Sequence, residues 1–190
     1  MKNTTVLWIS VLIIFAYGFI LTGCNTAPND KINALNEKMQ VLNKSAAEYF
    51  APDEYASLTI LLTDINVYTE KKQFKKVSET ADSVFATLDR IQIVLQTTGK
   101  TTAEKSLAEA NAEINTLTDL LSEQNTALLG REASTIYLQE YNKYKDQLAT
   151  LDTEFQGAFY YRVHKRALEL IDEIKDTRAR IEHKISSVKL

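Results

Sequence analysis

Apolar residues recur three and four positions apart along almost the whole chain from residue 30 onward, a period that only the α-helix satisfies. Ile32, Leu35, Met39, Leu42 and Ala46 make a first stripe behind Asp30, which suits an N-cap. Pro52 opens a second helix, because its fixed φ and missing N–H fit the first turn, and Tyr55, Leu58, Leu62 and Ile65 form its apolar face. Glu70-Lys71-Lys72-Gln73 reads as a tight connection. Phe74, Val77, Ala81, Val84, Leu88, Ile91 and Leu95 then form a third stripe. Residues 97–102 (TTGKTT) predict its end, with Gly99 in the left-handed conformation of a helix stop. A fourth helix is expected over 102–129, carrying Ala103, Leu107, Ala110, Ile114, Leu117, Leu121 and Leu128, with Gly130 ending or bending it. Tyr137, Tyr141, Tyr144, Leu148, Leu151 and Phe155 mark a fifth. Tyr160, Val163, Ala167, Leu170, Ile174 and Ile181 mark a sixth. No segment alternates with period two. The expected fold is all-α, a bundle of about six helices.

An internal correspondence sharpens that expectation. At an offset of 86 residues, Glu54-Tyr55 falls on Glu140-Tyr141, Leu62 on Leu148, Ile65 on Leu151 and Phe74 on Tyr160. Lys76-Val77 falls on Arg162-Val163, Ala81 on Ala167, Val84 on Leu170 and Leu88 on Ile174. Upstream, Leu35 and Leu42 fall on Leu121 and Leu128. Amphipathic stretches share apolar registers by default. The aligned Glu-Tyr and basic-Val pairs are harder to obtain that way. Two related three-helix units, 30–96 and 117–182, are therefore expected, each containing an αα-hairpin.

Residues 1–23 differ in kind. Lys2 precedes an apolar run from Val6 to Ile20, and Leu21-Thr22-Gly23 then leads to Cys24, the single cysteine of the chain. This order resembles a bacterial lipoprotein signal. The resemblance implies cleavage before Cys24, a diacylglycerol thioether and an N-acyl chain on that cysteine, and an address in the bacterial cell envelope. Multiple acyl chains anchor far more firmly than one. The competing reading is an uncleaved anchor, since the stretch from Val6 to Gly23 falls only just short of the roughly 20 residues that a crossing needs. Asn25 in place of aspartate after the cysteine implies the outer membrane, facing the periplasm, if the host is Gram-negative. Residues 24–30 form a polar tether of which the last six reach only about 20 Å, so the domain over 31–190 would sit close to the bilayer.

The mature chain would run from Cys24 to Leu190. Its leader takes away Lys2 and no other charged residue, so acidic side chains still outnumber basic ones by a few. That mildly acidic, mixed balance argues against nucleic acid as a partner. With Cys24 lipidated, no cysteine remains for a disulfide or a metal site.

Each unit's hairpin opens its second helix with aromatic-x-x-Val-x-x-x-Ala. This is similar to tetratricopeptide-type hairpins, without their Trp-Leu-Gly signature or their period of about 34 residues. Residues 46–54 (AAEYFAPDE), with the following helix, turn and Phe74-x-x-Val, resemble uncharacterised bacterial envelope lipoproteins that carry a helical hairpin after a Tyr-Ala-Pro motif. Here Phe50 separates Tyr49 from Ala51-Pro52. That resemblance covers residues 45–95 and implies an envelope location without an activity.

Catalytic chemistry has little to stand on. His164 and His183 lie on one expected helix, about 28 Å apart at 1.5 Å per residue and too far to share a metal. Both read as solvated. Neither a metalloprotease, a phosphate-loop, a nucleophile-elbow nor a calcium-loop motif occurs. The expectation is a non-enzyme with no cofactor and no metal.

Two features point to binding. Basic clusters occupy matching positions in the two units: Lys71, Lys72, Lys75 and Lys76, then Arg162, His164, Lys165 and Arg166. Such clusters suit lipid headgroups or an acidic partner. Tyr141, Tyr144 and Tyr160 could line an aromatic groove between the units for a small ligand or peptide. The sequence therefore leads to a lipid-anchored, non-catalytic interaction or structural module with an unidentified envelope partner. The seam of the 102–129 helix would allow a homodimer, and the aromatic groove is the alternative.

Overall fold

The computed structural model describes residues 27–188, so the leader, its junction at Leu21-Thr22-Gly23-Cys24 and the start of the tether lie outside it. Among the described residues the chain is all-α: α1 (Asn29–Val41), α2 (Lys44–Phe50), α3 (Pro52–Glu70), α4 (Phe74–Val94), α5 (Lys100–Leu120), α6 (Glu123–Leu129), α7 (Arg131–Gln156) and α8 (Tyr160–Val188). Pro52 stands in the first turn of α3. The first stripe, by contrast, is cut in two. Asn43 Oδ1 accepts from the Ala46 backbone N–H at 3.1 Å, and that side-chain cap starts α2 afresh. The expected 102–129 helix is also divided, with a turn at Leu121-Ser122 and Gly130 at φ 79 opening α7.

The stop expected at Gly99 does not form. Gly99 has φ −59 and ψ −45, and α4 runs through a π-turn at Leu95–Gly99 into α5 without leaving helical geometry. The apolar line continues Ile91, Leu95, Gly99, Ala103, three steps of four residues. Three α-turns hold about 10.8 residues, so a wider turn takes up the extra residue and keeps both stripes on one side. Phe74 to Leu120 is thus one rod, about 70 Å long at about 1.5 Å per residue. Glycine permits a left-handed stop but does not impose one.

The residues pack into two separate cores. Ile32, Leu35, Leu58, Ile65, Val77, Val84, Leu88 and Ile91 close one between α1, α3 and α4. Leu107, Ile114, Leu117, Tyr144, Leu151, Val163, Leu170, Ile174 and Ile181 close the other between α5, α7 and α8. In the first unit α1 runs parallel to α4, since Lys31 meets Asp82 and Lys38 meets Asp89, each at 2.8 Å. In the second α5 runs parallel to α8, with Ser106 on His164 and Glu113 on Arg178. The two bundles lie end to end along the shared rod.

The hairpins α3–α4 and α7–α8 correspond at the 86-residue offset down to the backbone of their turns. Lys72 and Ala158 both take left-handed φ, 55 and 60. Lys71, Lys72 and Gln73 donate to the carbonyls of Val67, Thr69 and Tyr68, and Gly157, Ala158 and Phe159 donate to those of Thr153, Phe155 and Glu154. The upstream part of the correspondence fails. Leu121 and Leu128 do not take the places of Leu35 and Leu42; the helix in α1's place is α5. Lys31 bonds Ser78 and Ser106 bonds the matching His164; Lys38 bonds Asp89 and Glu113 pairs with the matching Lys175. The third helix therefore follows a shorter offset of its own, with Ile32 matching Leu107 and Leu35 matching Ala110, all four buried. The extra length between the two offsets is taken up by α6 and the longer start of α7.

Candidate functional site

The point at which the chain enters the bundle decides which basic residues stand near the tether. Lys31 Nζ lies 2.9 Å from Ser78 Oγ and 2.8 Å from Asp82, which fixes the start of α1 beside the start of α4. Ala27 and Pro28 therefore sit at the end of the rod closed by the α3–α4 turn. Lys71, Lys72, Lys75 and Lys76 occupy that turn and the first turn of α4, all exposed. Lys76 Nζ is 5.2 Å from the Tyr68 ring centroid and Lys75 is 3.9 Å from Glu79. No carboxylate in the first turn and no side-chain cap serves the α4 N-terminus, where Lys75 and Lys76 face the positive end of the helix dipole, while Lys71 and Lys72 follow the C-terminus of α3.

The second basic cluster lies elsewhere and in a different electrostatic setting. Tyr160 packs beside Gly99, so the α7–α8 turn sits at the waist of the molecule. Phe74 and Gly99 are separated by about 38 Å along the rod. Glu154, only 17% exposed, binds Arg166 at 2.7 Å and Arg162 at 3.2 Å. Arg162 also covers Phe159 at 4.4 Å, and Lys165 lies 5.8 Å from the Tyr49 ring. The two clusters do not make one site, and the expected match between them holds at one position alone, Lys76 with Arg162.

His164, which the spacing alone places in solvent, is instead 7% exposed at the junction of the two units. Its position is four residues past Tyr160 and seven before Ile171, on the flank of the buried stripe, which is the signal that the apolar count alone misses. Nδ1 lies 2.7 Å from Ser106 Oγ and Nε2 lies 3.0 Å from Tyr49 Oη. Ser106 Oγ also lies 3.0 Å from the Thr102 carbonyl. With its proton there, Nδ1–H donates to Ser106 and Nε2 accepts from Tyr49; with its proton turned to Nδ1 both directions reverse, so either tautomer keeps both ring nitrogens partnered. Burial, and then the charge of Lys165, hold the imidazole below its ordinary pKa and favour the neutral ring. Tyr49, Phe50, Tyr161 and His164 pack ring against ring at 4.9–6.2 Å. The Ser106–His164 bond, with Tyr49 on the other ring nitrogen, links helices that are remote in the chain. It is a clasp tying α2, α5 and α8.

Tyr141, Tyr144 and Tyr160 do not line a groove. Tyr144 is 4% exposed, with its hydroxyl 2.8 Å from Thr177 Oγ1, which also meets Glu140 and Arg180. Tyr141 packs on the second core with its hydroxyl 3.0 Å from Thr118. Tyr160 packs at the waist against Phe155 at 5.3 Å. The apolar seam of α5 is likewise occupied, because Ala103, Leu107, Ala110, Ile114 and Leu117 are buried against α7 and α8. That leaves no seam on the helix for the dimer expected there. An open groove of roughly 380 Å³ does lie between α3 and α4, lined by Ser57, Ile60, Leu61, Ser83, Ala86, Thr87 and Arg90.

Among the described residues no three His, Cys, Asp or Glu side chains converge to hold a metal ion, and no helix is long and apolar enough to cross a membrane. No protein-family model, curated protein or solved structure matches the chain.

Proposed function

We propose that this chain is a lipid-anchored protein of the bacterial envelope whose helical part is a non-catalytic structural or interaction rod. The observation that carries the reading is the point of attachment. The segment following Cys24 joins one end of the molecule, and the two bundles stack away from it along an axis of about 70 Å. A protein held at such an end presents its other end away from the bilayer. There α7 begins at Arg131, about two turns before the position that matches Pro52, and Ile136 and Leu138 are 48% and 42% exposed. A protein partner in the envelope would meet that tip. The clasp at His164 supports the reading by fixing one bundle to the other, as a spacer requires.

The test is mass spectrometry of the mature amino terminus with fractionation of a Cys24→Ala variant. The proposal expects a triacylated Cys24 as first residue and loss of that modification in the variant. An intact Met1, or an unmodified Cys24 in the membrane fraction, would refute it.

A further inference from the structure

We infer that the α3–α4 turn is a foot that binds anionic lipid headgroups, with Lys71, Lys72, Lys75 and Lys76 as the contacts. The inference rests on the lipidation of Cys24 proposed above. Only Cys24, Asn25 and Thr26 of the mature chain precede the described residues. Three residues span at most about 11 Å, so Ala27, and with it this end of the rod, is held close to the headgroup layer. Within that reach the lysines of this end can approach to within a Debye length, near 8 Å, of the charged surface.

The charge pattern selects this end over the other basic cluster. Lys71, Lys72 and Lys75 stand where the second unit has Gly157, Ala158 and Tyr161. Lys76 stands where it has Arg162, which Glu154 neutralises; the residue matching Glu154 in the first unit is Tyr68, which supplies a ring and no charge. Asp30 and Glu70 are the carboxylates at the tip itself, with Glu79 one turn further along α4. Four lysines against Asp30, Glu70 and Glu79 leave this end net positive, with Lys75 and Lys76 at an uncapped helix N-terminus, so the cations repel one another in the isolated protein. An anionic surface relieves that repulsion. The rest of the mature chain is net acidic and is repelled by the same surface, so the charges favour a rod standing on its foot.

The test uses the lipidated protein in vesicles of phosphatidylcholine alone or mixed with phosphatidylglycerol, labelled with a water-soluble amine reagent and read by peptide mass spectrometry. Each surface lysine contributes about fivefold to association. Labelling of the four foot lysines should fall about fivefold or more in the anionic vesicles and recover in high salt, while Lys105 and Lys184, exposed on the second unit, stay unchanged. Equal labelling in both vesicles overturns the proposal. A second arm separates its failure from that of the lipidation reading. The chain from Ala27 retains every residue of both cores, which lie between Ile32 and Ile185. It should bind phosphatidylglycerol vesicles about tenfold or more better than the variant carrying Lys71→Gln, Lys72→Gln, Lys75→Gln and Lys76→Gln. Identical binding by the two proteins overturns the foot whatever the state of Cys24.

Discussion

Ser106→Ala isolates the clasp between the two bundles. It leaves the apolar cores intact and removes the hydrogen-bond partner of His164 Nδ1, in a place where Ser106 is 4% and His164 7% exposed. A buried donor or acceptor left without a partner costs about 1–3 kcal/mol. At roughly 2–4 °C per kcal/mol for a domain of this size, the melting temperature should drop by several degrees. Tyr49→Phe removes the partner of Nε2 on the other side of the ring, but Tyr49 is 49% exposed. Water can replace its hydroxyl, so that loss should stay under about 1 kcal/mol. The pH dependence has a definite sign. An unfolded histidine takes up its proton near 6.5, and the folded His164 only at lower pH. Between those values the unfolded chain binds more protons, so stability is complete above about 6.5 and falls as the pH drops through the lowered folded value. Thermal and urea denaturation followed by circular dichroism at pH 8 and pH 5 would read both effects, with His164→Gln as the variant lacking this titration. If Tyr49→Phe costs more than Ser106→Ala, or if His164→Gln keeps the full acid sensitivity, the assignment of a buried, neutral clasp is wrong.

Other outcomes follow from single positions. Gly99→Ala should be neutral or stabilising by up to about 1 kcal/mol in a melt, because Gly99 is helical and a Cβ would meet Phe50 and Tyr160 at 3.5–3.7 Å; a clear loss would show that the rod is interrupted there. Ala158→Gly should raise stability by about 1 kcal/mol by relieving a left-handed alanine at φ 60, and a drop in urea midpoint would contradict that conformation. Leu58→Ala, at 1% exposed in the first core, should cost about 2–5 kcal/mol. Hydrogen exchange should then quicken first in α1, α3 and α4, whereas uniform loosening of both bundles would deny that the cores are separate.

The sequence alone determined that the chain is helical and which faces of α4 and α8 are buried, because both follow from local spacing. Val77, Ala81, Val84 and Leu88 on α4, and Val163, Ala167, Leu170 and Ile174 on α8, lie at the positions that a 3.6-residue period brings to one side. The hairpin correspondence is legible for the same reason: Pro52 and the turn at Lys71–Gln73 fix where α3 and α4 meet, and residues 157–159 repeat that geometry. What faces each helix is not a local property. Whether Gly99 stops a helix depends on the packing of α2 and α8 against it. Whether α5 offers a seam to a second copy depends on α7 and α8 having already covered it.

Polar residues on the edge of a buried stripe show the limit most clearly. His164 and Thr177 look like solvated or neutral positions until Ser106, Tyr49, Tyr144 and Glu140, remote in the chain, are brought against them. A hydrogen bond between residues 58 or 115 positions apart leaves no trace in the spacing of either helix. Only the tertiary structure placed the four lysines at the end of the rod where Ala27 and Pro28 enter it, and the two arginines at the waist, because charge is counted along the chain while its effect depends on which end of the rod it occupies.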